Sequence, residues 1–131
     1  MPRCDIVFGG LDEFALLDAS IATPDSAIAS AQVRGVSEVI VKMGDQGAIG
    51  ERNGQRVEIA ATPVDVVDTV GAGDAFVGGY LVARLDGLEF GECLGLAGTV
   101  GAAACTVIGD WEGAPRRDEL ADLLGDSTVK R

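Results

Sequence analysis

The 131-residue sequence has no histidine. That absence removes Ser–His and Cys–His nucleophilic catalysis and zinc sites of the usual kind. Positive charge is also scarce: 10 Lys and Arg stand against 21 Asp and Glu, a formal net charge of −11. The basic residues are scattered, with Arg116–Arg117 and Lys130–Arg131 as the adjacent pairs. No basic stripe is present to hold a phosphate backbone, so no nucleic-acid partner is expected. The acidity reads as a means of solubility. Cys4, Cys93 and Cys105 form no CxxC pair and lie in apolar surroundings, as expected for reduced thiols in a cytoplasmic protein. The longest weakly polar run, 93–108, is too short and too rich in Gly and Ala to cross a bilayer. The N-terminal "MPRCDIVFGG" has no signal-peptide core. No membrane partner is expected.

What remains is 47% hydrophobic and 24% charged, ordinary for a soluble domain with one modest core. "CDIVF" (4–8) reads as a buried strand and "LDEFALL" (11–17) as a short helix. Residues 23–35 carry fuller helix signals, with Thr23 as N-cap, Pro24 at the first helical position and Gly35 as the stop. "EVIVKM" (38–43) is a second strand. Asn53–Gly54, between two strand-like runs in 48–60, signals a β-hairpin. "VDVVDT" (64–69) reads as another strand. Residues 75–85 are apolar nearly all round, as in a helix enclosed by a core. Residues 91–107 read as a helix of small residues, 115–124 as a last amphipathic helix and 125–131 as a polar, frayed tail. The order implies an α/β fold, a sheet flanked by helices with one hairpin.

The 19 glycines include a loop, "DTVGAGDAF" (68–76), that leads into the helix at 75–85. It is not a dinucleotide fingerprint, because Phe76 takes the place of the third Gly or Ala, and no GxxxxGK[ST] string occurs. One reading is a tight turn with Asp74 as the helix N-cap. Another is a phosphate site. A helix N-terminus presents unpaired N–H groups and a positive dipole end, and glycine lets that backbone approach a ligand. A carboxylate there could take the proton of a hydroxyl that attacks phosphorus. Spacing alone leaves both readings open.

"DTVGAGDAFVGGYL" resembles the C-terminal signature of the ribokinase-like (PfkB-type) sugar kinases, DTxGAGDxFxxG, without a break over 68–79. "VKMGDQGA" (41–48) is similar to the family's strand and turn beside the nucleotide phosphates, with Gly44 and Gly47 at its glycines. "DIVFGGLDEFALL" (5–17) falls where the family reads D-hydrophobic-N-x-x-E-A-x-x-L. The resemblance implies the C-terminal part of a ribokinase-like fold, an ATP-binding and catalytic part over 1–124 and a flexible tail over 125–131. It makes Asp74 the general base and the N–H groups of Gly71, Ala72 and Gly73 the anion hole. Lys42, Met43, Gly44, Asp45, Gln46 and Gly47 would border ATP, with Gly73 and Gly98 also on the nucleotide. Glu13 would organise Mg2+, through water. Asp68 and Val70 fall where some members bind a monovalent cation such as K+.

"CTVIGDWEGAP" (105–115) is similar to the segment lining the adenine pocket. Its wording resembles the 2-dehydro-3-deoxygluconokinases, which phosphorylate a sugar acid. Ribose, fructose or nucleoside kinases are the alternative, as is a nucleotide-binding module without catalysis or a purely structural domain. Trp111, a lone tryptophan in a loop, reads as a packing anchor sooner than as a ligand contact. Two positions depart from the family: Gly10 replaces the asparagine of NxxE, and Gly98 falls near an asparagine that relatives place by the adenine. Members of the family are longer. The strands, lid and sugar contacts of their N-terminal part would come from a missing half or from a homo-oligomer. The partners implied are ATP and a small sugar or sugar acid.

Overall fold

The structure is a computed structural model that describes residues 3–129, with side chains to residue 124. The chain divides into two compact units, Met1–Ala61 and Thr62–Arg131.

The first unit is a four-stranded mixed sheet with two helices. Strand β1 (Ile6–Gly10) leads through α1 (Leu11–Leu17) and α2 (Pro24–Val33) to β2 (Glu38–Lys42), and a single-turn 3-10 helix (Gly44–Gln46) precedes β3 (Ala48–Arg52) and β4 (Gln55–Ile59). The spatial order follows the chain, β1-β2-β3-β4. β1 and β2 are parallel, with Ile6 opposite Glu38 and Gly10 opposite Lys42. The β2–β3 and β3–β4 pairs are antiparallel. The helical crossover is what a parallel pair requires, since a tight turn cannot join parallel strands.

Local signals account for most of this unit. Thr23 Oγ1 accepts the Ser26 N–H at 3.1 Å, Pro24 takes the first helical position and Gly35 stops the helix at φ +85°. Asn53 (φ 50°) and Gly54 (φ 79°) both occupy the left-handed region, the geometry of a type I′ hairpin turn. Val39 and Val41 join Phe14, Ile28, Ala31 and Ile49 in the core. On the opposite face of β2, Glu38 and Ile40 are buried too, so the strand lacks the polar alternation of a half-exposed one. The Glu38 carboxylate has the Arg52 guanidinium 3.8 Å away.

The second unit is helical: α3 (Ala72–Leu85), α4 (Phe90–Ala104) and α5 (Arg117–Val129). α3 and α4 pack closely because small residues line their contact. A Cβ on Gly79 would stand 3.0 Å from Val100 Cβ and 3.2 Å from Ala97 Cα. Tyr80 and Phe90 meet edge-to-face at 6.4 Å, both fully buried.

Several sequence expectations shift. Residues 64–69 form no strand; the chain bends at Val67, with the Val67 and Asp68 N–H groups donating to the Cys105 carbonyl. β-branched residues favour extended backbone, but a strand exists only beside a partner. α3 starts at Ala72 and buries one face, leaving Leu81 and Leu85 exposed. α4 ends at Ala104 rather than 107, and α5 continues past 124 to Val129. Lys130 and Arg131, the end of the expected tail, lie outside the described residues, as do Met1 and Pro2.

Candidate functional site

The glycine loop ends in a helix start that suits an anion. Gly71 is the N-cap of α3, left-handed at φ 78°, with no side-chain cap. The first four N–H groups of a helix have no intrahelical acceptor; here they belong to Gly71, Ala72, Gly73 and Asp74. Ala75 is the first residue to close back, onto the Gly71 carbonyl at 2.9 Å. The Ala72 N–H is directed at the Thr69 carbonyl at 3.2 Å, a long bond. Asp74 lies at the third helical position with its side chain exposed. The capping reading of Asp74 therefore fails: Gly71 occupies the cap. The carboxylate is left in the first turn of the helix, at the positive end of its dipole.

The loop is braced from across the unit. A Cβ on Gly71 would stand 1.8 Å from the Asp110 carbonyl oxygen, so only glycine fits there. Asp68 accepts the Val70 N–H at 3.0 Å through one carboxylate oxygen and the Gly109 N–H at 3.2 Å through the other. The Val70 bond first, then the Gly109 bond, holds the Asp68 carboxyl below the usual carboxylate range. Asp68, expected at a cation, thus ties the glycine loop to the 105–111 segment. Sequence reading missed the roles of Gly109 and Asp110. No local pattern reveals a contact between positions so distant in the chain, and the one hint is Gly109 itself, at φ 118°. Gly98 sits half-buried in α4. Trp111 is 72% exposed and so is not a packing anchor.

The first unit holds the other set. Gly44 and Gly47, at φ 56° and 92°, turn the chain between β2 and β3, and the Met43 N–H donates to the Gly47 carbonyl at 2.8 Å. A Cβ on Gly47 would stand 1.9 Å from the Ile59 carbonyl oxygen. Gly44, Asp45 and Gln46 are exposed at the tip. Met43 and Gln46 border an open groove of about 360 Å³ that also touches Ile49, Glu58 and Ala60. Lys42 ends β2 beside Gly10, which ends β1. Glu13 follows in the first turn of α1. Its Oε2 accepts the Gly10 N–H at 2.6 Å and lies 4.0 Å from Lys42 Nζ. Lys42 and Glu13, far apart in the sequence, are neighbours.

Among the described residues no group of three or more Asp, Glu, Cys or His side chains could hold a metal ion. Mg2+ does not need one. It keeps much of its water and takes one or two carboxylates together with substrate phosphates. Glu13, 61% exposed, fits that role. Four N–H groups at a glycine-built helix start likewise fit a phosphate group.

Residues 1–117 match the pfkB family of carbohydrate kinases. The 2-dehydro-3-deoxygluconokinase of Bacillus subtilis is 35% identical over 121 residues, 92% of this chain and 37% of the relative. The structure of an E. coli protein described as a Ribokinase II, in complex with ATP and Mg2+, superposes with a TM-score of 0.86 at 35% identity, covering 95% of this chain and 40% of the other. Arabidopsis thaliana ribokinase, complexed with ribose and ATP, gives 0.83 at 30% identity, over 92% and 40%. The chain thus spans 37–40% of the length of these relatives.

Proposed function

The chain belongs to the pfkB family of carbohydrate kinases, and from that membership we propose that it carries the phosphoryl-transfer machinery of an ATP-dependent sugar kinase. The observation that carries the reading is the start of α3, where four N–H groups without intrahelical acceptors share one turn with an exposed carboxylate. In this reading Asp74 takes the proton of the sugar hydroxyl. The freed oxygen attacks the γ-phosphorus, the bond from that phosphorus to the β–γ bridging oxygen breaks, and ADP leaves. The N–H groups of Gly71, Gly73 and Asp74 receive the charge of the migrating group, and the Ala72 N–H joins them by giving up its 3.2 Å bond to the Thr69 carbonyl. Residues 42–47 border the nucleotide, and Glu13 supplies the carboxylate for Mg2+. The acceptor is a sugar acid, 2-dehydro-3-deoxygluconate. Likeness to the B. subtilis enzyme of that name supports this choice, and ribose is the nearest competitor.

The test is calorimetric titration with MgATP, paired with a transfer assay on 2-dehydro-3-deoxygluconate, ribose and fructose, for the chain and for Asp74→Asn. Both proteins are expected to bind ATP. Removing a general base costs about 10²–10⁴-fold in transfer, so any turnover disappears in the variant. Equal turnover in the two would sink the role of Asp74. The chain's coverage of 37–40% of its relatives favours a second reading, nucleotide binding without transfer. ATP binding with no transfer to any of the three sugars would select it.

A further inference from the structure

The Lys42–Glu13 pair has a geometry that stability does not explain. An exposed ion pair adds little to a fold, and this one is long, 4.0 Å, with Lys42 26% and Glu13 61% exposed. The backbone has already fixed Glu13 Oε2, through the Gly10 N–H at 2.6 Å. Gly10 contributes no side chain, and a Cβ there would meet Asp12 Oδ1 at 2.6 Å. Lys42 is therefore the side chain that faces this carboxylate with a cation. Lys42 ends β2, and Glu13 follows the end of β1 by three residues, so both lie toward the carboxyl ends of the parallel strands, the edge where open α/β sheets bind ligands. Lysine also suits a change of partner, being a compact charge on a flexible stem that binds phosphate well.

We propose that Lys42 is a positioning residue: its ammonium holds the Glu13 carboxylate against free divalent ions and passes to a phosphate oxygen when the nucleotide arrives. The inference rests on the reading that residues 42–47 border ATP. It assigns Lys42 a gating duty, coupling divalent-ion binding at Glu13 to the presence of nucleotide. While the ammonium faces Glu13, a divalent ion there meets a neighbouring positive charge. Once phosphate has drawn the ammonium away, the carboxylate is open to the ion.

The test uses two bindings that require no turnover: ATP in EDTA, by calorimetry, and Mn2+ without nucleotide, by electron paramagnetic resonance. Lys42→Met is expected to weaken metal-free ATP binding about tenfold, the scale of one charged hydrogen bond, and to tighten Mn2+ binding several-fold. Lys42→Arg should restore most of both, which a packing role would not predict. If Lys42→Met does not fold, Glu13→Gln carries the test: it frees Lys42, so metal-free ATP should bind more tightly and Mn2+ binding should weaken. Unchanged metal-free ATP affinity in Lys42→Met, or in Glu13→Gln where that variant carries the test, would overturn the inference alone. A wild-type chain that binds no ATP would overturn both the inference and the kinase reading on which it rests.

Discussion

Glycines 47 and 54 lie in the same unit and both have positive φ, yet they should respond differently to alanine. Gly54 at φ 79° has open space where a Cβ would go, so Gly54→Ala carries only the backbone term, about 1 kcal/mol. Gly47 lies at φ 92°, ψ −140°, close to a region that only glycine occupies, and its Cβ would collide with the Ile59 carbonyl. Gly47→Ala should cost about 3 kcal/mol or more. Urea unfolding checks this through the midpoints, at unchanged slope. At Asp68 the measurable quantity is pH dependence. Because the fold lowers this pKa, the carboxylate's stabilisation is complete above the ordinary aspartate range and is lost as pH falls through the lower, folded value. Asp68→Asn should therefore melt below wild type at neutral pH, and the gap should close in acid. A gap that stays constant down to low pH would count against the two N–H bonds. The sequence marks Asp68 as a residue of interest but does not say what it bonds, because Gly109 reaches it only through the fold.

Among the elements, those specified by local chemistry were legible and those specified by a neighbour were not. α2 has its cap, its proline and its stop within the segment itself, and the β3–β4 hairpin is written in Asn53–Gly54. Thr23→Ala should remove one cap bond and lower stability by about 1 kcal/mol, read from the thermal or urea midpoint. Residues 64–69 have the composition of a strand but bond to the end of α4 instead. The candidate site divides in the same way. The glycine loop, its acid and the Gly44–Gly47 turn could be read as motifs. The meeting of Lys42 with Glu13 depends on parallel pairing of β1 with β2, which no short pattern encodes. The sequence places the start of α3 at 75 rather than at Ala72 because the first turn contains glycine, a poor helix former.

At the scale of the whole molecule the concern is exposed apolar surface. In the second unit Val66, Val67, Val70, Ile108 and Trp111 are each more than half exposed. The bonds from Val67 and Asp68 to Cys105 bring their two segments side by side. In the first unit β1 and β4 each have one strand neighbour among the described residues, and unpaired edges invite association. The chain should bind a hydrophobic dye and self-associate as its concentration rises, measured by anilinonaphthalene fluorescence and sedimentation velocity. A monodisperse monomer that binds no dye would contradict this. The close approach of Gly71 to Asp110 has a genetic consequence. Every missense change within reach of one nucleotide from a glycine codon adds a side chain. A library of such changes, sorted for folded protein, should therefore come back empty at codon 71. At codon 87 the glycine also has positive φ but faces open space, and there the survivors should be many.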